Sequence, residues 1–128
     1  MLAYKTRGLW YFRDYYGGAK MRIIKFRAWH KNTKTMAYDV TPFQRDNNTE
    51  VMQYTGLKDK NGKEIYEGDL IKSERHKYPH KIKYTLGAFV GEMVKGKFEG
   101  YADGIFFDRF EVIGNIYENP ELLKAQNG

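Results

Sequence analysis

Cysteine is absent from this chain. That excludes disulfides, zinc–thiolate sites and cysteine nucleophiles, and it allows an intracellular home. No apolar run approaches the ~20 residues that a membrane-spanning helix needs. The first residues do not read as a secretory signal, because Lys5, Arg7, Arg13 and Asp14 interrupt any apolar stretch. Proline is scarce, with 3 in 128 residues, and no internal repeat or long helical period runs through the sequence. Aromatics, by contrast, make up 16% of the residues and glycine occurs 13 times. That combination favours short strands joined by tight turns. The length suits one domain with a real core.

The net charge is +6, which raises the prior for an anionic partner. Half of it lies in residues 1–20, where Lys5, Arg7, Arg13 and Lys20 face only Asp14. Reverse translation of Gly17-Gly18-Ala19-Lys20-Met21 accommodates a purine-rich GGAGG run a short distance before an ATG. A bacterial ribosome-binding site read in frame has this form. We therefore expect Met21 to be the natural start, with residues 1–20 an extension outside a single β domain at 21–128. The alternative is a genuine aromatic arm carrying Trp10, Tyr11, Phe12, Tyr15 and Tyr16. The N-terminal sequence of protein made from its own locus separates the two.

From Met21 onward the pattern alternates. "RIIKFRAW" (Arg22–Trp29) places Ile24, Phe26 and Ala28 on one face and Lys25 and Arg27 on the other. Thr35–Val40 returns as a hairpin partner, Thr41–Glu50 reads as a loop, and Val51–Leu57 as a short strand. Asn61-Gly62 is the hairpin signal, since both residues tolerate φ > 0. Gly68 predicts a bulge or bend before Asp69-Leu70-Ile71. Lys81–Leu86 alternates, with Ile82, Tyr84 and Leu86 on one inward face. Ala88–Gly96 and Phe110–Tyr117 are further strands, and turns are expected at Gly100 and Gly104. "ENPELLK" predicts a short helix with Asn119 as N-cap and Pro120 at its first position, Leu122 and Leu123 covering one end of the fold.

Three stretches, "MRIIKFRAWHKNTKTMAY", "VMQYTGLKDKNGKEIYEGDLIK" and "EVIGNIYENPELL", together resemble the YopX family of phage and prophage proteins over Met21 to Lys124. The resemblance implies a mainly β fold: a small Src-homology-3-like barrel or a strongly bent antiparallel sheet with a short C-terminal helix. It implies no catalytic residues. Trp29, Tyr54, Gly56, Asp59, Gly62, Tyr66, Gly68, Asp69, Gly114 and Pro120 match the family's pattern as fold determinants.

Few residue sets can carry chemistry. Asp59, Glu64, Glu67 and Asp69 can do acid–base work or hold a hard cation, but Lys60 stands in the liganding region, and Asp59 also suits a turn that bonds backbone amides. His76 and His80 have metal-ligand spacing broken by Pro79, and His30 reads as a turn residue. No phosphate loop is present. The basic segment Lys72, Arg75, His76, Lys77, Lys81 and Lys83, interleaved with Tyr78 and Tyr84, has the makings of a single-strand-binding surface, or of a solvated face. The residues imply no enzyme, no cofactor, no metal and no membrane. The expected function is a cytoplasmic phage or prophage accessory module that binds a protein partner or a second copy of itself. Nucleic-acid binding through Lys72–Lys83 is the alternative.

Overall fold

Runs of β-branched and aromatic residues broken by glycine turns produce strands almost throughout. The computed structural model describes residues 2–7, 9–13, 21–42, 46–75, 78–94 and 109–124. The chain divides into two compact units, residues 1–56 and 57–128, a boundary that falls within the span 21–128 that the sequence reading treats as one domain. Among the described residues the pairings with a defined register are antiparallel.

In the first unit, β1 (Leu2–Thr6), β2 (Leu9–Arg13) and β3 (Met21–Ile24) form one sheet in that order. Part of the segment set apart by the sequence reading is thus strand, paired with the strand that starts at Met21. A second sheet places β4 (Phe26–His30) between β5 (Thr35–Val40) and β6 (Thr49–Lys58).

The expected outward face of β4 is buried. Arg27 and Trp29 are only 3% and 8% exposed. Arg27 pairs with the buried Met52, and Lys25 lies opposite Tyr54, with its Nζ 5.0 Å from the ring centroid. The cause is position. β4 is an interior strand of its sheet and both of its faces are covered, Ala28 on one as fully as Arg27 on the other. Alternation in sequence therefore mislabels this strand's faces. At Asp39 (φ +57°) β5 carries a bulge, skipped in the register between Val40 and Tyr38.

The second unit takes up the end of β6 and adds β7 (Glu64–Tyr66), β8 (Asp69–Lys72), β9 (His80–Thr85), β10 (Ala88–Met93) and β11 (Glu111–Asn115). Four of them form a sheet in the order β10-β9-β8-β11. Its core is Ile65, Ile71, Ile82 and Phe110, with Leu57 and Val112 against it. Burying each such side chain is worth roughly 1.5–3 kcal/mol. β8 is interior to the sheet, so Asp69, Leu70 and Ile71 are all buried.

The Asn61-Gly62 hairpin is real but of another type. Only Gly62 enters the left-handed region, at φ +82°. The Gly62 N–H donates to the Asp59 carbonyl (3.0 Å), and the Asp59 N–H to the Lys63 carbonyl (2.8 Å). This is a tight turn closed by a left-handed glycine, not one with two left-handed residues. An added Cβ at Gly62 meets nothing within 4 Å, so substitution acts on the backbone alone. Gly62→Val is expected to cost about 1–2 kcal/mol, read as a lower urea midpoint; an unchanged midpoint would show that the turn is drawn wrongly.

The expected C-terminal helix is a 3-10 turn, Pro120–Leu123, that buries no residue, and Leu123 is 37% exposed. Asn119 makes no side-chain cap bond to it. Its Oδ1 instead accepts the Asn115 N–H at 3.2 Å. The competing partner on β11 wins because a four-residue 3-10 turn offers few free amides. The turns expected at Gly100 and Gly104 lie outside the described residues.

Candidate functional site

Two of the carboxylates singled out in sequence, Asp59 and Asp69, are engaged by backbone amides. Asp59, 6% exposed, sits at the start of the β6–β7 turn and is consumed by amides. Its Oδ1 accepts the N–H groups of Asn61 and Lys63, both at 2.8 Å, and its Oδ2 accepts the Val112 N–H at 2.9 Å. Burial pushes this carboxyl up, but the three amide donors and the nearby Lys63 charge outweigh it and hold it below the ordinary range. Asp59 thus bolts the turn to β11, helped by the Lys60 N–H donating to the Phe110 carbonyl at 3.0 Å. Asp69, buried, closes the next turn: its Oδ2 accepts the Tyr66 N–H at 2.7 Å. Gly68 makes the bend at φ +83°. Its N–H donates to the Ile82 carbonyl and its carbonyl accepts the Ile116 N–H. Among the described residues no group of three or more His, Asp or Glu stands close enough to hold a metal ion.

His80 is buried with its ring edge-on to Phe110, centroids 5.7 Å apart, while His76 lies outside the described residues. His30 ends β4, with its Nδ1 3.3 Å from the Thr49 hydroxyl, which in turn donates to Asp46 Oδ1 at 2.8 Å. That hydroxyl, then the Asn48 amide, hold the Asp46 carboxyl below its usual range against a small opposing effect of burial, with His30 adding to them. Asp46, Asn47, Thr49, Glu50 and Val51 line a polar recess of about 370 Å³. There Asp46 accepts the Thr49 hydroxyl and the Asn48 amide, and Glu50 pairs with Lys31 at 2.8 Å, as in an ordinary loop closure.

The basic segment is only partly brought together. Lys72 on β8 and Lys81 and Lys83 on β9 share one sheet face, because Leu70 pairs with Lys81 and faces alternate along each strand. That face also carries acids. Glu111 lies opposite Lys72, Glu92 lies opposite Lys81, and Glu92 forms an ion pair with Lys83. The Lys83 hydrogen bond, then the charges of Lys83 and Lys81, hold the Glu92 carboxyl low against the pull of burial. Arg75 is exposed in a turn, and Lys77 lies outside the described residues.

Tyr84 is on the opposite face from these lysines and is 55% exposed, against its expected inward position beside Ile82. The reason is the two-residue β9–β10 turn. Leu86 (φ +51°) and Gly87 (φ +81°) both take left-handed backbone, a turn that matches the natural twist of two paired strands. The hairpin end extends beyond Ile82 and Val90, the last fully buried residues of the two strands. Leu86 is 84% exposed. Tyr84 pairs with Phe89, their rings edge to face at 5.0 Å. Alternating hydrophobicity gave no sign of this tip; the Leu86-Gly87 pair between two strands was its available signal.

The fold and these side chains define a mainly β, antiparallel protein whose distinctive polar residues are spent on turns and strand closures. A family model described as YopX protein matches residues 40–124, and the chain belongs to the YopX family. The matched span begins at Val40, later than the Met21 at which the sequence resemblance starts. Among solved structures, the chain is similar to protein EF1440 from Enterococcus faecalis, at 31% identity over 78% of this chain and 97% of that one, with a TM-score of 0.63. It is also similar in fold to protein yopX from Bacillus subtilis, at 22% identity over 77% and 96% of the two chains, TM-score 0.53. No curated protein matches the chain. No helix among the described residues is long and apolar enough to cross a membrane.

Proposed function

We propose that this chain is a non-enzymatic phage or prophage accessory module of the host cytoplasm, and that it docks a protein partner through the β9–β10 hairpin end. The observation that carries the reading is the exposure of Leu86 and Tyr84, 84% and 55%, beside Phe89. Apolar and aromatic side chains exposed at a hairpin end are the kind of anchor a protein groove takes up. The charge balance beneath them favours a protein over a polyanion, since Glu92 neutralises Lys83 and faces Lys81. The Src-homology-3-like barrel description belongs to the same proposal, as such barrels close their sheets and leave hairpin ends for recognition.

The test uses affinity capture from host cells with the full chain and with a Tyr84→Ser/Leu86→Ser variant. The expected result is a stoichiometric protein partner, or a second copy detected by light scattering, that the variant loses while its melting temperature holds. Retention of the same partner by the variant overturns the reading. So does salt-sensitive binding of labelled single-stranded DNA, duplex DNA or RNA that Lys81→Glu with Lys83→Glu abolishes, which would instead support nucleic-acid binding through Lys72–Lys83.

A further inference from the structure

Asn61-Gly62 joins an exposed asparagine to a residue with no side chain and open space around it. We infer that Asn61 is a latent site of isoaspartate formation, held closed by the bonds that Asp59 and Glu111 make to this turn. In the reaction the Gly62 nitrogen gives up its proton and attacks Asn61 Cγ. A new N–C bond forms, the bond from Cγ to Nδ2 breaks, and ammonia leaves with the proton. Water then opens the resulting imide at either carbonyl, giving aspartate or isoaspartate. One water is consumed, one ammonia is released, and no oxidant or reductant is needed.

In the folded turn every participant is restrained. The Gly62 N–H is donated to the Asp59 carbonyl at 3.0 Å. The Asn61 N–H is donated to Asp59 Oδ1 at 2.8 Å, and Asn61 Nδ2 to Glu111 Oε1 at 3.4 Å. The reaction therefore waits on local opening of the turn. Its product cannot restore what was there. A carboxylate replaces the donor that faces Glu111, and like charges repel. Isoaspartate also adds a backbone methylene between the Asn61 and Lys63 amides, which converge on one oxygen of Asp59. Since Asp59 Oδ2 also holds the Val112 amide, the change loosens β11 in one direction only.

The experiment incubates the full chain in mildly alkaline buffer, native and in urea, and follows Asn61 by peptide mapping. Mapping is needed because Asn127-Gly128 repeats the dipeptide. The native chain is expected to convert Asn61 at least about tenfold more slowly than the unfolded chain, and a folded Asp59→Asn variant to convert it several-fold faster than the native protein. Equal rates in the native and unfolded chains overturn the inference without any variant. An unchanged native rate in a folded Asp59→Asn protein removes the role of Asp59.

Discussion

Asp59→Ala is expected to destabilise the second unit by about 2 kcal/mol, because three part-buried amides lose their acceptor together, and an orphaned donor costs roughly 1–3 kcal/mol when buried and less where water reaches it. The amides belong to Asn61, Lys63 and Val112, so the loss frees the turn and β11 at once. Urea unfolding followed by tryptophan and far-ultraviolet signals measures it, and a change under about 1 kcal/mol would show the bolt to be dispensable. The same carboxylate sets an acid limit. Its pKa is lowered in the folded state, so its stabilisation is fully present above the unfolded value near pH 4 and is lost as pH falls through the lower folded value. The stability of Asp59→Asn should consequently fall less than that of wild type between about pH 4 and pH 2. Parallel pH curves for the two proteins would contradict the assignment.

Gly114→Ala is the second large effect. A Cβ on Gly114 would lie 2.5 Å from Asn119 Oδ1 and 2.7 Å from its Cγ. The Asn119 side chain can retreat only by releasing the Asn115 N–H, which it holds at 3.2 Å. Asn115 is itself 6% exposed. Its Oδ1 accepts the Tyr117 and Glu118 amides, and its Nδ2 donates to Glu118. The clash thus propagates through the turn that ends β11. We expect a loss of about 2 kcal/mol, within the range for overpacking a close contact. Gly114→Ala/Asn119→Ala should recover part of it by removing the obstruction. If the single variant melts like wild type, the Gly114–Asn119 approach is looser than described.

These two sites show what kind of information the sequence carried. Asp59 reads correctly as a turn residue bonding amides, because Asx turns are local and depend on neighbours a few positions away. Its third bond, to Val112, spans 53 positions, and nothing local announces it. Asn119 before Pro120 has the form of a helix cap, yet its oxygen accepts the Asn115 N–H four positions back, so a second local turn competes with the cap. Arg27 and Tyr84 exchanged their expected environments for another reason. Period-two alternation reports that two faces differ, while burial depends on which strands flank each one.

The residues of the family pattern join these levels. Trp29, Tyr54, Asp59, Tyr66 and Asp69 are buried, and Gly56, Gly62 and Gly68 take positive φ. Gly114 makes room for Asn119, and Pro120 begins the 3-10 turn. Each has a structural task, which is why the pattern marks a fold.

By itself the sequence determined the mainly β class, the absence of cysteine chemistry, the turns at Gly62 and Gly68, and the family, since these follow from composition and from short-range backbone preferences. The tertiary structure decided that Asp59 and Asp69 serve separate turns, that Lys72, Lys81 and Lys83 share a face with Glu92 and Glu111, and that Tyr84 and Leu86 stand at an exposed hairpin end. Those outcomes depend on cross-strand register, and register is set by pairings between segments far apart in sequence.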